Sequence, residues 1–95
     1  MIKHIVFWKI NEDLDKAVVL PKMKEQLLSL QGKIEGLKSM EIGYNFNNGD
    51  FDIALYSVFE SKEALEVYAN HPSHLVVKKF VHSVIINRAS VDYEI

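Results

Sequence analysis

The chain contains 95 residues with a formal net charge of −2, and 48% of its residues are hydrophobic. This length suits a single domain over residues 1–95, and the interspersed acidic and basic residues offer no patch that would attract nucleic acid or an anionic membrane surface. The absence of cysteine excludes disulfides, thiolate zinc sites and thiol nucleophiles.

The N-terminal segment is apolar but short. It alternates with polar residues and lacks a small-residue cleavage site, so it does not have the pattern of a signal peptide. No window approaches the roughly 20 apolar residues that a membrane-spanning helix needs. We therefore expect a cytoplasmic protein.

The first predicted strand covers residues 2–10, which are rich in β-branched and aromatic side chains and are followed by a polar stop at Asn11. Both of its faces are apolar at the centre. One parity carries Ile2, His4, Val6, Trp8 and Ile10, and the other carries Lys3, Ile5, Phe7 and Lys9.

A helix is predicted after this strand, with Asp13 or Asp15 as its N-cap and Gly32 at its end. Its apolar positions have helical spacing. Pro21 lies among them, and a proline inside a helix removes one hydrogen bond and clashes one turn back. We therefore expect either a kink at Pro21 or a main helix that starts near it.

Two more strands are predicted over residues 37–46 and 51–60, and the turn sequence Asn47–Asp50 between them indicates a hairpin. The second of these strands again carries apolar side chains on both faces. Ser61 is the candidate N-cap of the helix that follows.

The C-terminal part is predicted to contain a helix–turn–helix junction and a last strand. Pro72 sets the backbone for a new element, so a second short helix is expected after it. Residues 84–94 form the last predicted strand, with His82 at its start as an edge or surface residue.

The predicted order is β-α-β-β-α-β, which is an α+β, ferredoxin-like unit with an antiparallel sheet and helices on one face. Three strands carry apolar residues on both faces, and no third layer is left in the sequence to cover the second face. A second copy of the chain would cover it. We therefore predict a homodimer that packs sheet against sheet.

The segment Tyr68–His74 places a phenol and two imidazoles within seven residues. His74 could act as a general base on a carbon next to a carbonyl, with Tyr68 hydrogen-bonded to the resulting oxyanion. Ligand contact without chemistry and a helix-capping role for His74 are the alternatives. His71 precedes a proline, which favours extended backbone and a structural role.

Other candidates have a structural and a functional interpretation each. His4 is either a satisfied core histidine or a pocket residue, and Asp52 either terminates a turn, which we favour, or orients a histidine. Packing in the core or at an interface explains Trp8 best. A metal site is not expected, because no two histidines have i, i+4 spacing and no acidic residue lies between His71 and His74.

The whole chain resembles the stress-responsive dimeric α/β-barrel (Dabb) family, whose members pair two ferredoxin-like protomers into a barrel. Most members have no assigned reaction and are named for their association with stress. The resemblance rests on five segments, of which the His-Pro-x-His motif is the most specific: Ile2–Phe7, Gly32–Leu37, Phe59–Leu65, Tyr68–His74 and Arg88–Tyr93.

In one branch of this family, the plant polyketide cyclases, an intramolecular aldol condensation closes a linear tetraketide without any cofactor. The resemblance implies that Tyr68 and His74 correspond to the acid–base pair and that His4 lines the same pocket. This chain departs at Asp52, where the cyclases have another pocket histidine, and Trp8 alters the cavity shape.

Together these features predict a homodimer that binds a small apolar or phenolic ligand between sheet and helices, with no cofactor, metal ion, nucleic acid or membrane as partner. Tyr68 and His74 are the candidate catalytic residues. The alternative is a cofactor-independent enzyme on carbonyl-rich substrates, acting by cyclisation or by oxygenation. The predicted ligand-binding residues are His4, Val6, Trp8 and His71.

Overall fold

A computed structural model describes residues 1–95 and contains four strands and three helices. The strands are β1 (Ile2–Ile10), β2 (Leu37–Tyr44), β3 (Ile53–Phe59) and β4 (Ile85–Glu94), and the helices are α1 (Lys16–Leu28), α2 (Lys62–Asn70) and α3 (Pro72–Val84). This order, β-α-β-β-α-α-β, confirms the predicted ferredoxin-like fold, with two helices in the second crossover.

All strand pairs are antiparallel, and the sheet order is β2-β3-β1-β4. The first strand is therefore central, and β4 forms one edge beside it. In this register His4 lies opposite Ser57 on one side and Asp92 on the other, and Trp8 lies opposite Ile53 and Arg88. Directly opposed residues share a face of the sheet, so the register decides which side chains meet.

One face of the sheet packs against the three helices and contains the core. Eighteen buried hydrophobic residues form a single cluster there. Trp8, 5% exposed, belongs to it, as do Val6 and Phe59. The parity that carries Trp8 is therefore the helix-covered one.

The opposite face, here called the open face, is covered by no part of this chain and is largely apolar. Phe7 is 41% exposed and Val91 is 60% exposed. The prediction of apolar side chains on both faces is thus confirmed for β1 and β3. On the two inner strands and the edge strand β4, the open-face residues are Lys3, Ile5, Phe7 and Lys9 from β1, Ala54, Tyr56 and Val58 from β3, and Ala89, Val91 and Tyr93 from β4.

Helix α1 begins at Lys16, earlier than the start near Pro21 that one of the two predicted alternatives gave. Asp15 caps it by accepting a hydrogen bond from the backbone N–H of Ala17 at 3.0 Å, and Pro21 lies inside the helix. The prediction of a main helix that starts near Pro21 is therefore wrong. Ala17, one turn before the proline, is exposed, so water can satisfy the carbonyl that the proline leaves without a donor.

Several predicted boundaries shift by a few residues. Helix α1 ends at Leu28 rather than at Gly32, which lies in the following turn with a positive φ of 82°. The hairpin strands are shorter than predicted, since β2 ends at Tyr44 and β3 begins at Ile53. None of the three helices combines the length and the apolar character that a membrane-spanning helix needs.

Gly36, in the turn before β2, packs closely against the start of helix α2. Its φ is 87°, and a Cβ atom at this position would lie 2.5 Å from the Cβ of Ala64. The Gly36 carbonyl also accepts a hydrogen bond from the Glu60 N–H at 2.8 Å. Glycine is required here for its backbone conformation and for the close approach of α2.

Candidate functional site

A half-open cavity of about 450 Å³ lies between the helix-covered face of the sheet and helices α2 and α3. Its size falls within the range of small-molecule sites. Its apolar wall consists of Val6, Trp8, Leu27, Leu55, Leu65, Ala69, Val77 and Val81. Its polar lining consists of His4, Tyr68, His74, Lys78, His82, Arg88 and Asp92.

Tyr68 lies in the last turns of α2 and directs its ring into the core, where the residue is only 2% exposed. Its ring packs against Phe59, with centroids 5.0 Å apart. Burial raises the pKa of Tyr68 to about 12, while the positive charge of Arg88 acts in the opposite direction. The phenol is therefore protonated at neutral pH and available as a hydrogen-bond donor.

His74 lies in the first turns of α3 and stacks on Tyr68, with ring centroids 4.1 Å apart and an angle of 29° between the planes. The α2–α3 junction makes this possible. His71 between the helices is extended and Pro72 occupies the start of α3, so the helical path is broken at this junction.

The hydrogen bonds of His74 define its tautomer. Nδ1 lies 3.3 Å from the carbonyl oxygen of Ala69, which can only accept, so Nδ1 carries the proton. Burial is the largest cause that lowers the pKa of His74 below 6.5, and the charges of Lys78 and His4 act in the same direction. The imidazole is therefore neutral at pH 7, with Nε2 as a free base.

His4 lines the same cavity, and its ring is held by a carboxylate. Its Nδ1 bonds to Oδ1 of Asp92, 88 positions away in the sequence. The His4 side chain is 12% exposed, and its ring meets that of Tyr68 edge-on at 6.1 Å. His4 is thus neither isolated in the core nor free, because Asp92 orients it toward the cavity.

The structure brings together five of the six predicted site residues. Tyr68, His74, His4, Val6 and Trp8 all line the cavity. His71 does not. It is the N-cap of α3, and its Nδ1 accepts a hydrogen bond from the backbone N–H of Ser73 at 3.1 Å. The predicted ligand contact of His71 is therefore corrected to the structural role that its position before a proline indicated.

Asp52 is a structural residue whose hydrogen bonds and ion pair involve no histidine. One carboxylate oxygen accepts a hydrogen bond from the Ile10 N–H at 2.8 Å, and the other contacts Nζ of Lys16 at 3.0 Å. These bonds lower the pKa of Asp52 despite the opposing effect of burial. The favoured interpretation, a residue that terminates a turn, fits this position, and Asp92 has the histidine-orienting role instead.

Three polar lining residues were not singled out in the sequence: Lys78, Arg88 and Asp92. A fourth, His82, was interpreted as an edge or surface residue at the start of the last strand. His82 is in the last turn of α3, not at the start of a strand, because the helix continues to Val84. A signal for the β4 residues did exist. Arg88 and Asp92 alternate with the apolar Ala89 and Val91, which places the polar pair on the face opposite the open one.

The titratable side chains do not form a metal centre. No three histidine, aspartate or glutamate side chains lie close enough to one another to share one ion. His4 and His74 face the cavity, whereas His71 caps a helix outside it. The arrangement is suited to proton transfer and hydrogen bonding.

The model of the Dabb family, described as the stress responsive A/B barrel domain, matches residues 2–95. Among solved structures, a dimeric protein of unknown function with a ferredoxin-like fold from Bacteroides fragilis is 38% identical, with a TM-score of 0.90. The match covers 99% of this chain and 95% of that chain. No protein of curated function matches.

Two more distant structures share the fold. The hydroxynitrile lyase from Passiflora edulis is 18% identical, with a TM-score of 0.85, and the match covers 97% of this chain and 90% of that chain. A putative antibiotic biosynthesis monooxygenase from Nitrosomonas europaea is 15% identical, with a TM-score of 0.80 and coverage of 99% and 97%. At this identity the likeness concerns the fold alone.

Proposed function

The chain belongs to the stress responsive A/B barrel domain family, and on that premise we propose that it is a homodimer whose protomers each bind a small, largely apolar ligand in the cavity beside Tyr68. The ligand carries a phenol or carbonyl oxygen. The apolar wall holds its body, the Tyr68 hydroxyl donates a hydrogen bond to its oxygen, and the unprotonated nitrogen of His74 accepts from the O–H group of a phenol.

The open face supports the homodimer. Phe7, Tyr56 and Val91 form part of an apolar surface that one protomer leaves in contact with water. Burial of such a surface against its own copy is a common way to close a half-covered sheet. The relative from Bacteroides fragilis is dimeric, which supports the same assembly for this chain.

The observation that carries the ligand proposal is the state of Tyr68. The residue is 2% exposed, its ring is fixed by Phe59 and His74, and its pKa reflects burial and the charge of Arg88 with no hydrogen bond to the protein. No buried side-chain oxygen or nitrogen lacks a hydrogen-bond partner, so this hydroxyl opens into the cavity that it lines. A ligand oxygen in the cavity can therefore replace water as the acceptor for its O–H group.

Calorimetric titration with 2-naphthol tests this proposal, because this probe combines an apolar body with one phenolic oxygen. Tyr68→Phe removes a single hydroxyl and should weaken binding about two- to tenfold, the worth of one hydrogen bond. Tyr44→Phe is the matched control, since Tyr44 is exposed on β2 outside the cavity. Equal affinity of wild type and Tyr68→Phe, or no binding to either, would contradict the proposal.

A second candidate function, cofactor-independent proton transfer, is favoured by the neutral state of His74. Nε2 would take a proton from a carbon next to a carbonyl, and the electron pair of that C–H bond would form an enolate. The Tyr68 O–H would donate to the enolate oxygen. The enolate carbon then attacks a second carbonyl of the same molecule, whose oxygen takes the proton back from His74.

Hydrogen–deuterium exchange of the methyl group of acetophenone in D₂O, followed by NMR, isolates the first step. Wild type should accelerate the exchange, and His74→Gln should abolish most of the acceleration, since a positioned base contributes on the order of a hundredfold or more. His71→Asn is the control, because asparagine retains the N-cap outside the cavity. Exchange at the uncatalysed rate in wild type would reject this second function.

A further inference from the structure

Two cations without carboxylate partners line one end of the cavity. Lys78 projects from α3 and Arg88 from β4, and neither takes part in any of the ion pairs of the protein. Arg88 is the only arginine in the chain, and its single side-chain hydrogen bond runs from Nη1 to Oγ of Ser90 at 3.3 Å. The remaining guanidinium donors are free.

The sheet register separates Arg88 from His4 and Asp92, and the rise of α3 separates Lys78 from His74. Arg88 lies opposite Trp8 and Asp92 lies opposite His4, so the two polar ends of β4 are four residues, about 13 Å, apart along the strand. On α3, Lys78 follows His74 by one helical turn, about 6 Å. The cavity thus has a cationic end at Trp8 and an acid–base end at His4.

The charges of both cations affect the pKa of side chains inside the cavity. The charge of Arg88 lowers the pKa of Tyr68 against the larger effect of burial, and that of Lys78 contributes to the lowered pKa of His74. Asp92, the one carboxylate in the lining, does not neutralise them, because its Oδ1 is bound to the His4 ring at the other end. His82 lies one more helical turn beyond Lys78, at the cationic end.

We propose that the ligand of this cavity is a carboxylic acid, whose carboxylate lies between Lys78 and Arg88 while its carbonyl or phenol group reaches Tyr68. This inference rests on the ligand-binding function proposed above and names the class of ligand. The fork of guanidinium donors matches the two oxygens of a carboxylate, and Lys78 adds a second charge. Several carbon–carbon bonds separate the two polar groups of the ligand.

Binding of 3-(4-hydroxyphenyl)propanoate and of its methyl ester, measured by calorimetry, tests this proposal. The two probes share the apolar body and the phenol, and the ester replaces the negative carboxylate with a neutral group that is larger by one methyl. Wild type should bind the acid about tenfold or more tightly than the ester, because charge-assisted hydrogen bonds are the stronger ones. The preference should shrink as salt is raised, since both cations are exposed.

Arg88→Gln and Lys78→Gln should each reduce the affinity for the acid several-fold and reduce that for the ester much less, so that the preference for the acid shrinks. Lys79→Gln is the matched control, because Lys79 is the next residue on α3 and lies outside the cavity lining. Removal of the same charge there should change neither affinity.

The outcomes distinguish the carboxylate site from the ligand-binding function on which it rests. Equal binding of acid and ester, or equal loss in Lys79→Gln and Arg88→Gln, would overturn the carboxylate site and leave the ligand-binding function standing. Binding of neither probe to the folded protein would overturn both.

Discussion

The rings of Tyr68 and His74 stack at 4.1 Å although the two residues lie on different helices. This contact links the two halves of the α2–α3 junction and sets both side chains against one cavity wall. It also excludes water from one face of the imidazole. The electrostatic behaviour of both residues follows from this shared burial.

The stability of the protein should depend on pH through His74. Its pKa is lowered in the folded state from 6.5, mainly by burial, so the unfolded chain binds a proton more readily just below pH 6.5. The contribution of His74 to the free energy of unfolding should therefore be fully present above pH 6.5. It should be lost as the pH drops toward the lower pKa of the folded state. Urea titrations at several pH values measure this slope.

His74→Gln should flatten that slope, whereas His71→Asn should preserve it, because His71 lies outside the buried cluster. The groups that face His74 are Tyr68, Lys78, His4 and the Ala69 carbonyl. A slope that is identical in wild type and His74→Gln would show that burial of this histidine does not control stability.

Tyr68 should titrate above the ordinary range of a tyrosine, because burial raises its pKa from 10.0 to about 12. Ultraviolet absorbance measures tyrosinate, and the difference between wild type and Tyr68→Phe isolates this residue. Because the folded pKa is raised, this group's contribution to stability is present below about pH 10 and is lost as the pH rises toward 12. A difference signal with its midpoint near pH 10 would contradict this prediction.

A negative charge should unfold the protomer when it is placed at Trp8, but should dissociate the proposed dimer when it is placed at Tyr56. Trp8 is 5% exposed on the helix-covered face, so Trp8→Glu should destabilise the protomer by more than about 4 kcal/mol, enough to unfold it. Tyr56 is half-buried on the open face, beneath the Lys3 ammonium at 5.1 Å, so Tyr56→Glu should dissociate the proposed dimer and leave the fold intact.

Light scattering and circular dichroism distinguish these results. Val67→Glu is the control, because Val67 is an exposed apolar residue on α2, away from the open face. It should change neither the mass nor the fold. A Tyr56→Glu protein that retains the mass of a dimer would place the interface elsewhere.

Gly36 and Gly32 offer a matched pair for backbone strain and close packing. Both have positive φ, so alanine at either position should cost about 1–2 kcal/mol in free energy of unfolding. Gly36→Ala should cost more, because its Cβ would lie 2.5 Å from the Cβ of Ala64, whereas nothing lies within 4 Å at Gly32.

Denaturant unfolding measures the difference. Ala64→Gly combined with Gly36→Ala should recover the excess cost, since it removes the atom that clashes. Equal losses for Gly32→Ala and Gly36→Ala would mean that α2 moves away from the turn without cost.

The sequence alone determined the element types, their order and the family. Residues such as Pro72, Ser61 and Asp15 act through local backbone chemistry, which a sequence displays directly. The two-faced apolar pattern of β1 and β3 was visible for the same reason, because alternation along a strand is a local property. The position of Pro21 inside α1 shows the limit of such rules, since solvent can replace one lost hydrogen bond.

Only the tertiary structure decided which parity of β1 faces the helices, because both parities are apolar and local alternation cannot separate them. It also decided that His4 meets Asp92, 88 positions away, rather than Asp52. That pairing depends on β4 lying beside β1 in the sheet order. Long-range register places Arg88 and Lys78 at one cavity, and no local pattern specifies a contact between distant strands and helices.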